Sequence, residues 1–87
     1  MPTVRFSWSP LLLEVRRETC PKARWIAAQR AWTMSAADAQ AFLVAAHERL
    51  NFARRHAEVA IDDQRWMIGF VHGAPFVQEP GTTSGSG

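Results

Sequence analysis

The residues of this chain best suited to chemistry are its arginines and tryptophans. The stretch PKARWIAAQRAW, Pro21 to Trp32, sets Trp25 and Trp32 seven residues apart beside Arg24 and Arg30, with Arg16, Arg17 and Lys22 close upstream. A guanidinium is a planar fork that bonds phosphate through two N–H groups and stacks on bases, and an indole is a flat platform on which a base gains about 1–3 kcal/mol. Arg16, Arg17, Lys22, Arg24 and Arg30 are therefore predicted as a footprint for the phosphate backbone. Aromatic residues in strands usually belong to the core, so Trp25, Trp32 and Trp66 are assigned to the junction of a sheet with a helix, and binding to the arginines beside them. Arg16 and Arg17 are expected to face outward from a short helix, and the competing reading has them pairing with Glu14 and Glu18 on a solvated surface. An alanine-rich chain whose only lysine is Lys22 is also what GC-rich codon usage produces.

Other chemistries lack their residues. His47, His56 and His72 have no metal-ligand spacing, and the lone Cys20 allows neither an internal disulfide nor a structural zinc set, so it reads as a packing residue. Asp62 and Asp63 are adjacent, which suits a turn rather than an acid and base held in different environments. No Ser/His/Asp or Cys/His arrangement proposes a nucleophile, and the expectation is a chain without catalysis, metal or cofactor. With 87 residues, 47% hydrophobic, and a net charge of +2, one domain with one core is the expected organisation. No apolar run approaches the ~18 residues of a membrane span, and the N-terminal apolar stretch is too short for a secretory signal, which predicts a cytoplasmic chain off the membrane.

The elements that must position these groups follow from hydrophobic period. TVRFSW alternates, with Val4, Phe6 and Trp8 on one side and Arg5 and Ser7 on the other, and predicts a strand over residues 3–8. Ser9 as N-cap and Pro10 at the first helical position begin a short helix, with Leu12, Val15 and Thr19 at helical spacing and Pro21 as its stop. Residues 24–34 read as two brief strands around a turn at Ala28 and Gln29, although that turn lacks Gly and Asn. Such a turn puts Trp25 and Trp32 on one face, in the core. Ser35 and Asp38 form a capping pattern ahead of a helix over 36–55, whose apolar stripe is Ala39, Phe42, Leu43, Ala46, Leu50 and Ala53. Arg54 and Arg55 then fall in its last turn, where the helix dipole favours cations. Residues 58–71 read as a hairpin broken at Asp62-Asp63. From Gly73 the composition is that of a loop, and residues 80–87 that of a flexible tail or appended linker, leaving 1–79 as a single domain. The fold class is α+β: a small mixed or antiparallel sheet with one long helix packed on one face and a short N-terminal helix.

Over residues 4–43, an aromatic strand, a short helix, a proline, two spaced aromatics and a second helix follow one another. The positions Phe6, Trp8, Pro21, Trp25 and Trp32 and the helix after Ser35 give this order. It resembles the HARP domain, the small module beside the motor of annealing helicases, with Trp25 where that family tends to have tyrosine. No phosphate-cradling motor loop is present, so the resemblance implies only the binding of DNA structure, without helicase activity. The expected function is a small non-catalytic nucleic-acid-binding module that recognises phosphate and DNA structure. The alternative is a protein-interaction module, a small adaptor or antagonist of the kind mobile elements encode, docking through a hairpin edge and aromatic anchors.

Overall fold

The computed structural model of the chain describes residues 1–78. Its elements run β1 (Thr3–Phe6), α1 (Pro10–Thr19), β2 (Arg24–Ile26), β3 (Ala31–Thr33), α2 (Ala36–Phe52), β4 (His56–Ile61), β5 (Gln64–Val71) and β6 (Ala74–Gln78). The six strands form one sheet in the order β2-β3-β1-β4-β5-β6, antiparallel at every pairing, and the fold is α+β. β6 corrects the sequence reading, which assigned a loop from Gly73 onward. Composition misled there because Gly73 ends a tight turn, and the residues after it pair with β5 from Val71↔Ala74 to Met67↔Gln78. The predicted tail, residues 80–87, lies outside the described residues.

Strand register decides which side chains meet the helices. Val4 pairs with both Trp32 and Ile61, and Phe6 pairs with Val59, which pairs with Trp66. Directly paired residues share a face, so these positions form one side of the sheet and their sequence neighbours the other. The first side carries the core: Val4, Val59 and Ile68 are buried in one cluster with Leu12 and Val15 of α1 and Phe42, Leu43, Ala46 and Leu50 of α2. Phe6 stacks on Phe42 with ring centroids 5.4 Å apart. Both helices thus cover one face, and among the described residues no helix covers the other, the bare face.

The helices start as their caps dictate. The Ser9 hydroxyl accepts from the Leu12 N–H, and that of Ser35 from the Asp38 N–H. The stripe of α2 is buried as its period predicts, except for Ala53, because the helix stops at Phe52. Arg54 and Arg55 are accordingly not in its last turn. Arg54 takes φ 58 and donates to the Asn51 carbonyl, while Arg55 donates to that of Leu50. These two bonds are the Schellman closure, here built on an arginine where glycine is usual. One residue of β5 also departs from the regular ladder. Gly69 has φ +119, and its N–H donates to His47 Nδ1 of α2 at 3.0 Å.

The first strand is tied at its start to the β4–β5 turn. The Asp62 carboxylate accepts from the Thr3 N–H at 3.0 Å and its hydroxyl at 3.3 Å, and Thr3 O accepts from the Asp62 N–H. Asp62 is a turn residue with φ 55, as the adjacent pair of aspartates suggested. No described helix is long and apolar enough to cross a membrane.

Candidate functional site

The β2–β3 hairpin carries the two tryptophans of the opening stretch. Trp25 pairs with Trp32, so both side chains lie on the helix side of the sheet, and their rings meet edge to face with centroids 5.3 Å apart. They do not share the core. Trp32 is partly buried against it, whereas Trp25 is 51% exposed. The cause is topological: β2 is the last strand of the sheet, beyond the reach of α2, which packs on β4, β5 and β6.

Arg16 explains how Trp32 is held. Its guanidinium carbon stands 4.0 Å from the centre of the Trp32 ring, and its Nη1 donates to the Cys20 carbonyl at 3.1 Å. It therefore does not face outward, and neither Arg16 nor Arg17 pairs with Glu14 or Glu18. Those two carboxylates belong to Arg49 of α2, which reaches both and ties the helices together across their exposed sides. The hydrogen bond to Glu18 and the charges of both glutamates raise the pKa of Arg49 further. Arg17 is exposed on α1, in a cleft shared with Trp8 and Arg49, and Lys22 is exposed in the turn after α1. Arg17 thus stands on a helix and Lys22 in a turn, and neither is a strand position of the bare face. The five predicted site residues do not form one surface.

A different set of arginines does. Arg5 on β1 lies beside Ala60 on β4, which pairs with Arg65 on β5. Arg24 on β2 pairs with Thr33, which pairs with Thr3, and so stands on the same bare side. Arg30, at φ 51, closes the Ala27–Arg30 turn at the end of β3 and borders a shallow polar depression with Arg5, Arg65 and Glu58. Arg5, Arg24, Arg30 and Arg65 are all exposed, and among the described residues none has a carboxylate within ion-pair distance. Among the described residues Glu58 is the one acidic side chain lining this depression, while the Asp62 carboxylate is engaged by Thr3. Arg5 and Arg65 were absent from the predicted footprint. The polar positions of TVRFSW already put Arg5 away from the core, but only the pairing of β1 with β4 brings Arg65 near it.

At the end of β1 the bare face turns into a groove of about 480 Å³. Leu13, Phe6 and Trp32 form its apolar lining, Trp8 and Trp25 its exposed aromatic sides, and Arg5 and Arg30 its polar border. Trp8 is 80% exposed in the loop between β1 and α1. Among the described residues no acidic side chain lines the groove. Trp66 sits elsewhere, partly buried under the core with its Nε1 unpartnered. Cys20 is wholly buried; its thiol donates to the Asp38 carbonyl at 3.2 Å, and burial pushes its pKa up. Comparison of the chain with known protein families, with curated proteins and with solved structures gives no match.

Proposed function

We propose that this chain is a non-catalytic nucleic-acid-binding module that grips the phosphate backbone with the bare face of its sheet. The observation that carries the reading is the position of Arg5, Arg24, Arg30 and Arg65 on the face that, among the described residues, no helix covers, with Glu58 the one carboxylate of those residues lining the depression between Arg5, Arg30 and Arg65. Unpaired guanidinium groups on a flat face release counterions from a polyanion and fix its position without reading base edges. The HARP resemblance supports the same reading, through binding of DNA structure. Arg24 and Arg30 stay in the footprint; Arg5 and Arg65 replace Arg16, which holds Trp32, Arg17, which stands on α1, and Lys22, which is in the turn after it.

The test is the salt dependence of binding. Replacing Arg5, Arg24, Arg30 and Arg65 with alanine should weaken binding evenly across sequences, flatten the plot of log K against log salt by about 0.7–0.9 per lost contact, and leave the melting temperature near the parent's. A parent that binds no nucleic acid even near ~50 mM salt, or a variant with the parental slope, overturns the reading. A partner strand added to the free β2 edge is the second reading. That edge offers only Arg24–Ile26 for pairing, and this reading takes precedence if the parent ignores nucleic acid.

A further inference from the structure

The tryptophan groove and the arginine face share residues. Arg5, Phe6 and Arg30 border both, so a ligand lying on the bare face continues into the groove, with Glu58 the one carboxylate among the described residues that lines either. We infer that the occupant is a single strand of nucleic acid, one base of which stacks in the groove against Trp8 and Trp25 while the adjoining phosphates run over Arg5 and Arg30 onto the sheet. The inference rests on the proposed function and adds to it the state of the nucleic acid.

Three features select this occupant. The groove is aromatic inside and cationic at its mouth, which matches a flat ring attached to an anion, and its volume falls within the roughly 300–1,000 Å³ of small-ligand sites. The rings are not equally available: Arg16 covers a face of Trp32 and Trp25 abuts it, so Trp32 is the support and Trp8 and Trp25 offer the free surfaces. The cationic row is also too long for a mononucleotide. Arg24 on β2 and Arg65 on β5 stand four strands apart in the sheet, about 19 Å at ~4.8 Å per spacing, which calls for several linked phosphates. In a duplex the base faces are already stacked and its edges paired, so entering the groove would require unpairing.

The experiment compares four ligands on the full chain: an oligothymidylate of about 12 nucleotides, within the 4–16 nucleotide site sizes of single-strand binders, a duplex, an abasic strand of the same length, and thymidine monophosphate. The oligothymidylate should bind most tightly. Trp8→Ala and Trp25→Ala should each weaken that binding about 5- to 150-fold, the equivalent of one stacked base, and leave the abasic strand and duplex unchanged. Trp8 is 80% exposed, so its variant should melt with the parent and separate binding from folding. If the abasic strand binds as tightly as the oligothymidylate, if the monophosphate does, or if both tryptophan variants match the parent, the groove assignment falls and the phosphate-binding face stands. If none of the three strands binds, both fall.

Discussion

The guanidinium of Arg16 lies 4.0 Å from the centre of the Trp32 ring and bonds the Cys20 carbonyl that follows α1. One arginine thereby fixes the hairpin that carries Trp25 to the helix that carries Leu13. Arg16→Ala should lower stability by about 1–3 kcal/mol, from the cation–π contact and a charge-assisted hydrogen bond. Arg16→Lys should fall between the two, because an ammonium keeps the charge but not the planar stack. Urea denaturation gives the order. A fully stable Arg16→Ala with weakened nucleic-acid binding would return Arg16 to the binding surface.

A second constraint lies between α2 and β5. At Gly69, φ is +119 and an added Cβ would overlap the Arg55 carbonyl oxygen. Gly69→Ala therefore combines a disfavoured backbone with overlap against backbone, and should cost about 2–6 kcal/mol. His47→Ala should cost about 1–3 kcal/mol by leaving the buried Gly69 N–H without its acceptor. Thermal melts of both variants check this, and a Gly69→Ala protein as stable as the parent would refute the close approach.

Hydrophobic period located nearly everything that local sequence controls. The alternation of Val4 and Phe6, the two serine caps, the stripe from Ala39 to Leu50 and the Trp25–Trp32 register are all present in the structure, whereas Trp8, expected in the first strand, falls in the loop after it and is exposed. What the period could not supply is strand order. Trp25 pairs as expected yet stays half exposed because β2 is an edge strand, and Arg16 turns inward onto the ring of Trp32 in β3. The footprint moved for the same reason. Arg5 and Arg65 are sixty residues apart in sequence and two strands apart in the sheet, and only long-range pairing reveals that they share a face. β6 was hidden by its composition, since Gly and Pro look alike in a loop and in a short edge strand.

The turn that leads into β6 offers a stabilising change. His72 and Gly73 connect Val71 to Ala74 with φ 52 and φ 85, the two positive angles of a type I′ hairpin. Histidine accepts the first angle less readily than asparagine. His72→Asn should raise stability by roughly 0.5–1 kcal/mol, visible as a higher melting temperature, and should leave nucleic-acid binding unchanged. A lower melting temperature would mean that His72 has a role beyond the turn.

Cys20 makes stability fall at alkaline pH. Burial raises its pKa; the Asp38 charge adds to this, while the Thr19 hydroxyl and the Arg16 charge oppose it without cancelling it. The folded chain therefore holds the thiol proton more tightly than the unfolded chain, which releases it first as pH rises. The contribution is fully present below the ordinary thiol range and is lost as pH climbs through that range toward the raised value, with a slope of at most about 1.4 kcal/mol per pH unit for one proton. Unfolding free energies measured from neutral pH upward should decline more steeply for the parent than for Cys20→Ala, whatever the offset from the small cavity that alanine leaves. Two parallel curves would show that the thiol titrates alike in both states.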